Sequence, residues 1–294
     1  MAAPNENRLY YADLSNEAVL SIDLDTHTVT NLAGPVQPEG NIDGALDDAR
    51  FGWIYGLEAS SDGERIYVAD PANQAVRVVD LSTEQVTSMT HTTWDAPVGL
   101  ALDEVGGRLF VGDANTGQLW TVTLADGAVA PLGTGELDLP WGMAFTGETL
   151  YVVEHGAKGG DEVNIPEAGK NYGWPEISYG VHYSGAKIGQ GNAAEGYEQP
   201  LHYWDPSIAP GGMVVYRGDE FPDWNGDLLV TALKFKLLVR LDVDPETGNV
   251  TGEERLLENR YGRLRDIQIA SDGSLLLVTD EDEGRLLRLT RDQD

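Results

Sequence analysis

The stretch YGLEASSDGERIYVAD, residues 55–70, holds two short apolar segments joined by Ser-Asp-Gly. Apolar and polar residues alternate within each segment, the pattern of a strand with one face buried, and the Asp-Gly step is a hairpin signal. The unit returns as VGLALDEVGGRLFVGD (98–113), WGMAFTGETLYVVEH (141–155), GGMVVYRGDEFPDWNGDLLVTALK (211–234) and LRDIQIASDGSLLLVTD (264–280), and NRLYYAD (7–13) looks like its second half. Most copies continue into a third strand: AVLSIDL, QAVRVVDL, GQLWTVTL, LLVRLDV and RLLRLT. Equivalent points fall at Asp13, Asp70, Asp113, His155, Leu233 and Asp280, 42 to 57 residues apart except for one interval of 78.

Units of about 40–50 residues with about four strands are the repeat of a β-propeller. Six copies predict an all-β, six-bladed β-propeller forming a single domain; a pair of β-sandwiches explains the regular repeat less well. The first copy lacks its inner strand and the last stops after its third, so ring closure is expected to share strands between the two ends. The long interval after His155 holds an insertion, roughly residues 176–204, rich in Gly, Tyr and His. Such insertions lie on a propeller face and often build the site.

The formal charge of −30 makes nucleic acid and anionic membranes poor partners, because phosphates are repelled. There is no cysteine, which excludes disulfides, thiolate metal sites and a cysteine nucleophile. No apolar run approaches the ~20 residues needed to cross a bilayer. The N-terminal MAAPNENRLYY lacks the basic and apolar segments of a secretory signal. Motifs such as HExxH, GxSxG and the P-loop are absent.

From Asn31 to Met89 the sequence resembles NHL-repeat propellers, through GNIDGALDDARFGWIYGLEASSDGERIYVADPANQAVRVVD with its ARF, YVAD and N-x-x-V-R pieces in order. That resemblance implies blades that bind partners or small ligands. From Leu139 to Leu289 it resembles the soluble quinoprotein aldose dehydrogenases, the PQQ-dependent glucose and sorbosone dehydrogenase group. Several motifs agree in order: EHGAKGGDEVN, GKNYGWP, YGVHYSG, EQPLHYWDPSIAP, WNGDLLVTALK, RLRDI and SDGSLLLVTDEDEGRLLRL. The chain thus reads as an NHL-like half, 1–138, and a dehydrogenase-like half, 139–294, in a hybrid or chimeric propeller. By the same resemblance it would work in the periplasm or outside the cell, on a small sugar and an electron acceptor.

PQQ is a tricarboxylated ortho-quinone, so its site needs cations for the carboxylates, a divalent ion at the quinone and a base for the substrate hydroxyl. The resemblance makes Lys234, Arg263 and Arg265 the cofactor-binding cations, and solvated basic residues are the plainer reading of each. Residues 1–135 carry 5 Lys and Arg, and residues 206–294 carry 11, which places positive charge in the quinone half. Calcium prefers oxygen ligands, including backbone carbonyls. Gly156 and Ala157 match the carbonyls of a cofactor-side calcium, and Glu162 with the carbonyl of Tyr172 matches a second, structural one. His155 is read as lining the cofactor site and not as a base. Trp174, Trp204, Tyr179 and Tyr183 could wall a sugar ring or simply pack the insertion. The strand-end carboxylates Asp13, Asp70, Asp113 and Glu154 could hold a metal, but turn-capping is the commoner role.

Two places depart from the quinoprotein pattern. Trp53 stands where that family has its proton-abstracting histidine. Asp138-Leu139-Pro140-Trp141-Gly142 replaces an Arg-Asn-Pro-Gln-Gly motif. A missing general base typically costs ~10²–10⁴-fold. Two functions therefore stay open: a PQQ- and calcium-dependent dehydrogenase oxidising an aldose at C1, and a weakly active or non-catalytic hybrid propeller that retains calcium or small-ligand binding.

Overall fold

Alternation in the strand Arg65–Asp70 places Ile66 and Val68 on one face and Tyr67 and Ala69 on the other. All four are buried, and the two faces feed two different hydrophobic clusters. Leu228 and Val230 likewise serve one cluster while Leu229 serves another. A sheet apolar on both faces must be covered on both, which is the situation of a propeller blade between two others.

The computed structural model describes residues 7–34, 39–133 and 137–292. The first six residues of MAAPNENRLYY and residues 35–38 of the NHL-like stretch lie outside the described residues. The chain forms two compact units, Met1–Pro131 and Leu132–Asp294. Each holds three antiparallel sheets, consecutive in sequence, so the fold is an all-β, six-bladed β-propeller. Among the described residues the only helical turns are Pro71–Asn73 and Pro222–Trp224.

In the first unit the opening sheet has three strands, Arg8–Asp13, Ala18–Asp23 and Val29–Ala33, without an inner strand. The second gains a fifth strand, Gly44–Ala45, which pairs with Gln85 and Val86 at the outer edge. The third is a four-stranded meander from Pro97–Asp103 to Val129–Pro131.

In the second unit two four-stranded sheets are followed by the three strands Leu264–Ile269, Leu275–Thr279 and Leu286–Leu289. Every strand pairs within its own run of sequence, so the expected sharing of strands between the chain ends is not found among the described residues. His202–Trp204 is the fourth strand of its sheet, paired with Asp161–Asn164. The insertion therefore spans 165–201 and not 176–204: the β pattern of HYW is only three residues long.

Inner strands within a unit pass so close that a glycine is needed between them. A Cβ on Gly211 would stand 2.2 Å from the Arg265 carbonyl oxygen, and one on Gly56 would stand 2.2 Å from that of Val98. Gly211→Ala is expected to cost about 2–3 kcal/mol, read as a melting-temperature drop of several degrees. Gly252→Ala, whose Cβ would find nothing nearer than 3.7 Å, should be close to neutral; equal losses at the two positions would refute the close-approach argument.

Candidate functional site

Strand ends carry the chemistry, and most strand-end carboxylates serve the backbone. Asp13 accepts the N–H groups of Ser15 and Asn16. Asp70 accepts that of Gly52 and pairs with the fully buried Arg77 at 3.1 Å. Asp113 accepts those of Asp95 and Ala96. Asp13 and Asp113 cap the turns that follow them, Asp113 also taking Asn115 N and Thr116 N, while Asp70 joins Gly52 to Arg77.

The second unit gathers the remaining groups. Asp161 is fully buried and its carboxylate accepts four hydrogen bonds. The donors are Gly156 N (2.9 Å), Ser207 Oγ (2.7 Å), Ile208 N (2.7 Å) and Ala209 N (2.9 Å). This clamp fixes the EHGAKGG loop against the start of the next inner strand. The insertion folds back on the same loop through reciprocal backbone hydrogen bonds between Lys158 and Val181. A Cβ on Gly180 would lie 2.1 Å from the Gly159 oxygen, so the loop and the insertion need glycine where they meet.

His155, next to the clamp, sits half-buried with its ring edge-on to Trp141, centroids 5.7 Å apart. Burial pushes its pKa down, the Asp161 charge and the Pro210 carbonyl pull it up, and the Arg265 charge pushes it down again; the net direction is downward. His155 is thus a neutral imidazole near neutral pH. Gly156 donates to the clamp, and Ala157 is half-buried in the turn that follows.

Glu154, Glu162 and Asp138 form a buried acidic group behind this loop. Glu154 accepts from Asp138 N at 2.5 Å and from the Asn164 side-chain amide, which also donates to Glu162 at 3.3 Å. The Asn164 Oδ1 is buried without a partner. Burial, then the Glu162 charge, holds the Glu154 carboxyl far above the usual range. Burial raises Glu162 to about 7 against the opposing Asn164 hydrogen bond, with Asp138 and Asp161 adding to the rise. Burial and the Asp161 charge raise Asp138 to about 7. Among the described residues no three His, Asp or Glu side chains group as a metal site.

The cations divide into a pair and a single residue. Arg263 Nε and Nη2 both donate to Asp280 Oδ2 at 3.2 Å, and Arg265 Nη2 donates to the same oxygen at 2.7 Å. Lys234 is exposed, its Nζ 5.3 Å from the centre of the Phe235 ring, and it makes no ion pair among the described residues. The Tyr172 hydroxyl donates to Ile165 O and accepts Glu167 N, which shapes the first turn of the insertion. Of the aromatic set, Trp204 is core, 3% exposed with Nε1 on Glu253, while Tyr179 stacks on Tyr203 at 3.7 Å and Tyr183 stands in solvent. A cavity of about 390 Å³ beside Gly262 and Thr279 is lined by Glu281, Asp282 and Glu283, and none of the three cations lines it.

The glucose / sorbosone dehydrogenase family model matches residues 139–288. The chain belongs to that family. Aldose sugar dehydrogenase YliI of Escherichia coli (strain K12) is 42% identical over 168 residues, 56% of this chain and 45% of that protein. Quinoprotein glucose dehydrogenase B of Acinetobacter calcoaceticus is 24% identical over 200 residues, 50% of this chain and 42% of that one. The matches thus span about half the length of these family relatives. An NHL repeat-containing protein 2, from Bos taurus, is 28% identical over 136 residues, 40% of this chain and 19% of its own. A solved glucose dehydrogenase structure superposes with a TM-score of 0.76 at 29% identity, covering 98% of this chain and 97% of the other. No described helix is long and apolar enough to cross a membrane.

Asp161 and Asn164 carry no signal in the sequence, because their roles are contacts with residues 207–209 and with Glu154. Raised carboxyl pKa values make a stability claim. Asp138 titrates near 7 in the fold against 3.8 ordinarily, so its contribution is complete below about pH 4 and is lost as pH rises through 7. Asp138→Asn should therefore melt above the parent at pH 8 and lose that advantage at pH 4.5. Melts in EGTA across this range check it, and parallel curves would rule it out.

Proposed function

We propose that this chain is a PQQ- and calcium-binding sugar dehydrogenase of the soluble quinoprotein type, oxidising an aldose at C1 and passing the electrons to an external acceptor, in the periplasm or outside the cell. The observation that carries the reading is the arginine pair: within the family-matched half, Arg263 and Arg265 converge on one carboxylate oxygen. Planar guanidinium forks bind carboxylates in defined geometry, and the proposed cofactor carries three. Lys234 adds a cation that makes no ion pair among the described residues. The donor set thus fits the carboxylate side of such a cofactor.

When bound, PQQ supplies a two-electron acceptor for the sugar C1–H. The chain's own residues bind and orient it. Arg263, Arg265 and Lys234 hold carboxylates. His155, neutral and braced by Trp141, lines the site without adding charge. The Gly156 and Ala157 carbonyls would hold the cofactor-side calcium, on a loop already fixed by Asp161. Glu162 and the Tyr172 carbonyl would hold a second calcium; a divalent ion beside Glu162 would also relieve the crowding of buried carboxyls there.

One observation favours a second reading, a hybrid propeller with little turnover. Trp53, 57% exposed, stands at the position that the resemblance gives to the proton-abstracting histidine. Asp138 also brings a carboxyl where the family pattern has an arginine.

Titration with PQQ plus Ca²⁺, followed by glucose and an artificial electron acceptor, separates the readings. Quinone binding with dye reduction is expected; binding without reduction supports the second reading, and an unchanged quinone spectrum sinks the first. Lys234→Ala should weaken PQQ binding by about tenfold or more, since a charge-assisted contact is typically worth 1.5–3 kcal/mol. EGTA should lower the melting temperature, because a ligand of the native state stabilises it; an unchanged melt removes both calcium sites.

A further inference from the structure

The corner that carries the arginine pair is built more tightly than an ordinary surface ion pair. Arg263 lies just before the strand Leu264–Ile269, Arg265 lies within it, and Asp280 follows the neighbouring strand Leu275–Thr279. Their backbones are joined directly: Asp280 N donates to Arg263 O at 2.8 Å. Glu281 closes the other side by accepting Arg263 N at 2.8 Å. Gly262 supplies the left-handed backbone there, φ +91°, and a Cβ on it would lie 2.3 Å from Glu281 Oε1, displacing that carboxylate from Arg263 N. The corner thus has a fixed backbone before either guanidinium is placed.

Asp280 then places them. Two guanidiniums held this close repel one another and would otherwise spread into solvent, each with several free rotors. One carboxylate oxygen takes three N–H groups from the two of them. Burial alone would raise the Asp280 carboxyl, but the Arg265 charge and the hydrogen bonds of both arginines outweigh it and keep it below the usual carboxylate range. The aspartate therefore stays ionised. Both arginines remain partly exposed, 43% and 40% by side chain. Arg263 Nη1 and Arg265 Nε and Nη1 have no protein acceptor among the described residues. The cluster of three charges keeps a net positive charge with its unused donors held side by side.

We propose that Asp280 is the positioning residue for the cofactor cations: it holds Arg263 and Arg265 together so that their free N–H groups meet a ligand carboxylate in one geometry. This rests on the quinone-binding reading above. Two other roles are available to the same carboxylate. A resident competitor would occupy the arginines and weaken ligand binding by its negative charge. An incidental surface pair would do neither.

The three roles predict different signs. The probe is PQQ with saturating Ca²⁺, followed by the quinone absorbance and by quenching of tryptophan fluorescence. The variants are Asp280→Asn, which keeps the shape without the charge, and Asp280→Ser, which removes the acceptor geometry as well. Circular dichroism and melting curves confirm that each is folded. Positioning predicts that PQQ binds about tenfold or more weakly in Asp280→Asn, and weaker still in Asp280→Ser, with little change in melting temperature without the ligand. Tighter binding in either variant would show a competitor, and unchanged binding an incidental pair; each overturns the proposal. Lys234→Ala serves as the control, since it lowers affinity without touching the corner. A parent protein that binds no PQQ removes the quinone reading and this inference with it, whereas a parent that binds and an Asp280 series that does not weaken removes the inference alone.

Discussion

The structure depends on satisfying backbone N–H groups where the chain turns into each inner strand. These groups lie at a buried corner and have no strand partner, and an unpaired buried donor costs about 1–3 kcal/mol. Carboxylates meet the need. Asp70 takes Gly52 N, Asp113 takes Asp95 N and Ala96 N, Glu154 takes Asp138 N, and Asp161 takes Ile208 N and Ala209 N. A propeller built this way is obliged to bury acidic side chains at its strand ends, whatever it does for a living.

The candidate site grows out of that obligation. At Asp280 the same strand-end position faces two guanidiniums in place of amides. At Glu154 the acid has company from Asp138 and Glu162, and the shared burial drives all three carboxyls upward. Asp161 does most for the scaffold and, by fixing Gly156, also does most for the loop that would carry a calcium. Scaffold and site are therefore not separable here: the residues that hold the blades together are one bond away from those that would hold a cofactor.

Much of this was legible in the sequence. The period-two strands, the hairpin turns and the spacing of strand-end acids gave six blades, because alternation is a local property that survives without knowing the neighbours. Lys234, Arg263 and Arg265 are singled out by the quinoprotein resemblance, and the concentration of Lys and Arg in that part of a chain of net charge −30 agrees with it. The insertion's boundaries were not legible: His202–Trp204 becomes a strand only by pairing with Asp161–Asn164, residues about 40 positions away. Trp204 looked like a candidate sugar contact and is core, since an indole with its N–H on Glu253 reads the same in sequence as an exposed one.

By itself the sequence determined the strand pattern, the blade count, the family motifs and the types of residue at each corner. Tertiary structure alone decided which partner each corner residue takes. Asp113 caps the turn at Asn115 and Thr116, Asp161 ties two segments nearly 50 residues apart, and Asp280 gathers two arginines. The physical reason is that a carboxylate's role is set by the donors that folding brings within about 3 Å, and those donors come from distant segments.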